Sequence, residues 1–141
     1  MVTEVARGCL STGWALSLTS AHVLQVAGFF EERAQDEIFG TDGDFRAAST
    51  VAPVGVARPG GDGHVVLDGT WPYSSGAPYS TQYVGQTLSA GDPPGPPLLF
   101  VAPRGSGSNT VRMEQARIPA YRTCAASMGR RASTTVNRPP S

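Results

Sequence analysis

The sequence contains no lysine: all eleven basic side chains are arginine, set against eleven Asp plus Glu in 141 residues. That absence removes the phosphate-gripping lysine of a P-loop and any Schiff-base lysine from consideration. A formal net charge of zero, with the arginines scattered, offers no basic face and excludes nucleic acid as an expected partner. Cysteine and histidine are scarce too. Cys9 and Cys124 lie far apart and share no metal-ligand spacing with His22 and His64, so two free thiols are expected and a zinc site is not. No apolar run approaches the roughly 20 residues that span a bilayer, and the N-terminus shows no basic, apolar and small-residue succession of a signal peptide. The expectation is a soluble, cytoplasmic protein with no membrane partner.

Proline is missing from Gly8 to Phe30, where Leu10, Trp14, Leu18, Ala21 and Leu24 recur at steps of three and four and predict a helix. Leu16, Val23, Ala27 and Phe30 lie on its other faces, so burial against more than one neighbour is expected. Glu31 to Phe39 predicts a second, short helix, with acidic residues at its start and Gly40 at its end. Beyond Gly40, short β-prone runs follow one another: Phe45 to Val51, His64 to Leu67, Thr70 to Tyr73, Gln82 to Leu88, Leu98 to Val101 and Thr110 to Ile118. Gly60-Gly61-Asp62-Gly63 predicts a tight hairpin, Asp68-Gly69 another turn, and the proline-rich stretch from Gly91 to Pro97 a stiff surface loop incompatible with a strand. The predicted class is α+β: a helical segment over 1–43, a small antiparallel β-barrel or sandwich over 44–122, and a polar tail over 123–141, disordered from Ser127 onward.

Three stretches together resemble one family. Arg7-Gly8-Cys9-Leu10-Ser11-Thr12-Gly13-Trp14 followed by His22, Gly69-Thr70-Trp71-Pro72-Tyr73-Ser74-Ser75-Gly76, and Arg104-Gly105-Ser106-Gly107-Ser108-Asn109-Thr110-Val111 resemble segments of the flavin-dependent aromatic hydroxylases with the acyl-CoA dehydrogenase fold. The resemblance runs from about Val5 to Arg122, with Ala48-Ser49-Thr50-Val51-Ala52-Pro53 in the place of a flavin-facing strand. It implies the end of an N-terminal helical domain and most of a middle β-domain. It also implies reduced FMN or FAD delivered by a flavin reductase, and a small aromatic or polyketide-like substrate. By the same resemblance Trp14, Ser49, Thr50, Val51, Trp71, Tyr73, Ser74 and Ser75 would contact the flavin, and His22 with Ser49 would face the substrate. Aromatic rings and serine hydroxyls suit a flat cofactor with a hydrogen-bonding edge.

Plainer accounts accompany each residue. Trp14 shares a stripe with Leu10 and Leu18 and would pack in a core; His22 would be a satisfied, partly buried histidine; Ser74 to Gly76 would be a turn and Gly105 to Ser108 a flexible loop. The sequence also departs from the family. Pro103 runs directly into Arg104, where the resemblance expects a further strand, and after Arg122 the expected helical bundle is replaced by the polar tail. A flavin held by one wall would stay largely in water, so little binding and no turnover are expected of this chain alone. The alternatives are a fragment of an FAD-dependent acyl-CoA dehydrogenase, and a non-catalytic remnant or a split-enzyme subunit whose partner chain, or oligomer, supplies the bundle.

Overall fold

A computed structural model of the chain describes residues 1–104 and 108–126. Cys9 is extended (φ −154°, ψ 110°) and splits the N-terminal stretch into α1 (Val2–Gly8) and α2 (Leu10–Phe29). The two cross closely because Gly13 has no side chain: a Cβ there would lie 2.6 Å from that of Ala6. α3 (Glu32–Phe39) follows, closed by Gly40 at φ 61°, the left-handed conformation that glycine adopts without steric cost.

The predicted helices are present, but the stripe expected to lead α2 into the core is its exposed one. Leu10, Trp14 and Leu24 are 78%, 66% and 73% exposed, whereas His22 and Val26 are buried. Apolar residues surround this helix, so three-and-four spacing cannot select a face. The sheet selects the side carrying His22 and Val26.

Six strands form one sheet in the order β5-β2-β1-β3-β4-β6. They are β1 (Ala47–Gly61), β2 (His64–Trp71), β3 (Gln82–Ser89), β4 (Gly95–Pro103), β5 (Val111–Pro119) and β6 (Thr123–Ala125). The hairpin between β1 and β2 turns on Asp62 (φ 49°) and Gly63 (φ 70°), the paired positive φ of a two-residue turn. Two predicted runs merge into β2, because Asp68-Gly69 is a register shift within the β2–β5 ladder and not a turn. Asp68 holds that shift together: it accepts from the Gln115 backbone N–H (2.7 Å) and from Arg58 Nη1 (2.6 Å). The proline-rich stretch is strand from Gly95 onward, since Leu88 pairs with Pro97 and Ser89 with Gly95. Thr123–Ala125, placed in the tail by the sequence, adds β6 to the edge of β4. Residues 127–141 and Gly105 to Gly107 lie outside the described residues.

The expected all-antiparallel arrangement is also corrected: β1 and β3 run parallel. β2 returns the chain to the start of β1, and residues 72–81 cross below that end and enter β3 on the far side. Thr81 and Gln82 both donate backbone N–H groups to Arg46 O there.

One face of the sheet packs on α2 and α3 through Val26, Phe30, Ala34, Ile38, Ala47, Val84, Leu99 and Val101. The opposite face buries Trp71, Tyr83 and Phe100 completely, together with Ala77 of the crossover, and among the described residues no α-helix contributes to that cluster. Curvature accounts for this. Trp71 on β2 and Phe100 on β4 are three strand spacings apart, about 14 Å in a flat sheet, yet their ring centroids are 5.3 Å apart. Among the described residues β5 and β6 do not pair, so the sheet is curled but not closed. Gly69 supplies part of the room, because a Cβ there would sit 2.8 Å from Gly55 Cα and 2.9 Å from the Trp71 ring.

Candidate functional site

The crossover of residues 72–81 sets the site, because it lays the Tyr73-Ser74-Ser75 turn beside the first residues of β1. Thr50 Oγ1 donates to Pro72 O (3.0 Å) and lies 2.9 Å from Ser74 Oγ. Ser74 is fully buried, and its backbone N–H donates to Asn109 O at 2.7 Å. The Tyr83 hydroxyl is held next to Thr50 and Ser74, with burial raising its pKa above the usual tyrosine value. Ser74 is thus a structural clasp whose hydroxyl is used within the chain.

His22 comes to the same end of β1 from α2. Its Nδ1 is 2.7 Å from Ala47 O and its Nε2 is 2.7 Å from Ser49 Oγ. A carbonyl only accepts, so these contacts assign the ring proton to Nδ1 and leave Nε2 to accept the Ser49 hydroxyl proton. Burial lowers the His22 pKa below the ordinary histidine value, opposed in part by the Ala47 carbonyl. The ring is therefore a neutral acceptor near pH 7.

His22, Ser49, Thr50 and Val51 line an open cleft of about 480 Å³ between α2 and the sheet, a volume within the ~300–1,000 Å³ of small-molecule sites. Trp14 and Ser75 line a neighbouring cleft of about 210 Å³, and Leu18 borders both. Near this junction the β1–β3 register slips between Thr50 and Pro53, leaving Val51 and Ala52 without ladder partners on β2 or β3.

Two predicted residues are placed differently from their neighbours. Trp71 is fully buried, its indole N–H donates to Gln86 O at 2.8 Å, and its ring packs on Phe100 and Tyr83. It has no surface to offer a ligand, because the curled sheet needs its bulk as core. Tyr73 is 90% exposed at φ 58°, uncommon for a bulky residue, and its ring points to solvent.

The sequence reading missed Gln25 and Gln86, which line the first cleft. The signal was faint: Gln25 follows His22 by three positions on α2, and Gln86 alternates with Val84 on β3. Among the described residues no group of three or more His, Cys, Asp or Glu side chains is placed to hold a metal. No helix among them is long and apolar enough to cross a membrane. Cys9 and Cys124 are both free, and burial pushes the Cys124 thiol up to about 11.

No protein-family model matches the chain. Among curated proteins it is similar to the flavin-dependent monooxygenase, oxygenase subunit HsaA, of Rhodococcus jostii (strain RHA1), 32% identical over 138 residues, 86% of this chain and 35% of that one. Among solved structures it is similar to 3-HSA hydroxylase from Rhodococcus sp. RHA1, with a TM-score of 0.77 and 31% identity over 88% of this chain and 36% of that one. It is also similar to XiaF from Streptomyces sp. in complex with FADH2 and glycerol, with a TM-score of 0.71 and 25% identity over 84% of this chain and 34% of that one. The chain spans about a third of the length of the curated relatives it matches.

Proposed function

We propose, for a chain that over the residues it spans belongs with the oxygenase subunits of flavin-dependent monooxygenases of the acyl-CoA dehydrogenase fold, that it forms the phenol-binding wall of an aromatic hydroxylase. The observation that carries this reading is the Ser49–His22 pair, 2.7 Å apart, in a cleft also lined by apolar Leu18, Val51, Val84 and Leu99. Ser49 spends its only hydrogen on His22 Nε2, so it turns lone pairs towards a ligand and suits a hydroxyl donor. A phenol seated there can pass its proton to Ser49 as Ser49 passes its own to His22, which makes the aromatic ring more electron-rich. His22 with Ser49 is therefore the substrate pair, and a small aromatic or polyketide-like phenol is the substrate class.

The surroundings suit reduced flavin. Val51 and Ala52 carry backbone groups outside the ladder, Ser75 is exposed with an uncommitted hydroxyl, and the exposed faces of Trp14 and Tyr73 offer flat apolar contact. Reduced FMN or FAD, supplied by a separate reductase, would contribute the oxygen-activating chemistry, with Trp14, Ser49, Thr50, Val51, Tyr73 and Ser75 as its contacts. Both clefts are open, so a second wall from a helical segment, another copy or a partner chain completes the reading.

The test is binding by the chain itself. In ¹H–¹⁵N spectra, p-cresol is expected to shift the His22 ring nitrogens, and neither His22→Ala nor Ser49→Ala is expected to bind it. Unmoved His22 signals at millimolar p-cresol would overturn the reading.

A further inference from the structure

β6 has the shortest hold on its neighbour of any strand in the sheet. It meets β4 only through Leu98–Ala125, Leu99–Cys124 and Phe100–Thr123, with one further bond from the Ala126 N–H to Pro97 O at 2.9 Å. β3, on the other side of β4, follows it from Gln82 to Ser89. So short a ladder leaves little backbone bonding to resist local opening.

What keeps β6 in place is the turn before it, Ala120–Arg122, closed against one face of α3. Arg33 and Glu37 are four residues apart and share that face. The Arg33 guanidinium lies 4.1 Å from the centre of the Tyr121 ring. Glu37 accepts the Tyr121 hydroxyl on one oxygen (2.5 Å) and Arg122 Nη2 on the other (2.7 Å), so two consecutive side chains of the turn close on a single carboxylate. This closure is held against a cost. Arg122 is buried, yet its Nε and Nη1 have no hydrogen-bond partner among the described residues, and water would satisfy both if the turn lifted.

The segment also covers something. Ala125 and Ala126 line a cavity of about 210 Å³ together with Phe29, Gln86 and Leu99. Tyr121, Cys124 and Ala126 pack against the buried cluster that contains Val84, Leu99 and Val101. Lifting the turn and β6 together would bare the edge of β4 and open that cavity to water. Trp71 and its neighbours, on the opposite face of the sheet, would keep their contacts.

We infer that residues 120–126 are a strap with Glu37 as its catch: releasing the catch frees the turn and β6 as one unit and opens the cavity while the rest of the sheet stays folded. Cys124 reports its position. In the closed form burial pushes this thiol up to about 11, so it is protonated and slow to react; in the open form it returns towards the ordinary ~8.5 and reacts. In a Cys9→Ser chain it is the sole thiol.

The experiment follows labelling of Cys124 by 4,4′-dithiodipyridine in mildly alkaline buffer over low urea concentrations. A strap gives a rate that hardly changes with urea, whereas global unfolding gives one that climbs steeply. Glu37→Gln should speed labelling about 5–30-fold. Tyr121→Phe, which keeps the ring beside Arg33 and loses one hydrogen bond, should speed it about fivefold. Trp71→Phe, which weakens only the opposite face, should leave the rate unchanged although it lowers the urea midpoint. A steep urea dependence, with Trp71→Phe speeding labelling as much as it destabilises the fold, would mean that Cys124 is exposed only by global unfolding and would end the strap. Labelling as fast as in concentrated urea would mean that no closed form exists, and would end it too. Rates unmoved by both Glu37→Gln and Tyr121→Phe would strip Glu37 of its role as catch and overturn the inference.

Discussion

Replacing Trp71 by phenylalanine separates a core tryptophan from a cofactor-facing one. The residue is fully buried, its ring lies 5.3 Å from that of Phe100 and 6.1 Å from that of Tyr83, and its N–H donates to Gln86 O at 2.8 Å. Phenylalanine keeps an apolar ring but loses that hydrogen bond, about 1 kcal/mol, and leaves a void where the second ring stood, about 1–2 kcal/mol. The expected cost is about 2–3 kcal/mol, a large share of the ~5–15 kcal/mol that holds a domain of this size. Urea unfolding followed by far-ultraviolet circular dichroism measures it. In a Trp14→Phe background Trp71 is the sole emitter, and its fluorescence should be blue-shifted and resistant to acrylamide. A cost below about 0.5 kcal/mol, or quenching as ready as that of Trp14, would refute the packing account.

Other consequences follow from the same contacts. Gly69→Ala drives a Cβ to 2.8 Å from Gly55 Cα and 2.9 Å from the Trp71 ring; with backbone on one side it should cost about 1–3 kcal/mol in urea unfolding. Glu37 holds both Tyr121 Oη (2.5 Å) and the Nη2 of buried Arg122 (2.7 Å). Glu37→Gln should lower stability by about 1–2 kcal/mol, the modest end for a buried pair because the Glu37 side chain is 45% exposed, and should bring the raised pKa of Tyr121 back down in an absorbance titration. His22 has its pKa lowered by burial, so its contribution is complete above the unfolded histidine value near 6.5. It is lost as pH falls below that value towards the depressed folded one. Thermal melts should therefore show a decline starting near that pH that His22→Gln removes; an unchanged decline in the variant would assign it elsewhere.

Local chemistry was enough for the sequence to determine α2 and α3 to within two residues, though not α1, and also the Asp62-Gly63 hairpin, the Gly40 stop and the strand cores over Gln82 to Leu88 and Thr110 to Ile118. These depend on neighbours a few positions apart. The segments resembling flavoprotein motifs were legible too, and by that resemblance His22 was set with Ser49, whose hydroxyl lies 2.7 Å from His22 Nε2. Tertiary structure decided the rest. Alternation along β2 would put Tyr73 on the buried side with Trp71, and the positive φ of Tyr73 reverses it, turning Tyr73 out and Ser74 in. Helical spacing could not tell which side of α2 meets the sheet, because apolar residues surround that helix and the choice belongs to the strands it packs on. The parallel β1–β3 pairing, and with it the delivery of Ser74 to Thr50, depends on a crossover that pairs residues 32 to 35 positions apart. Curvature alone brings Trp71 to Phe100 and makes it core. Gln25 and Gln86 acquire meaning only when α2 lies across β3, since nothing local distinguishes a glutamine that faces a groove from one that faces water.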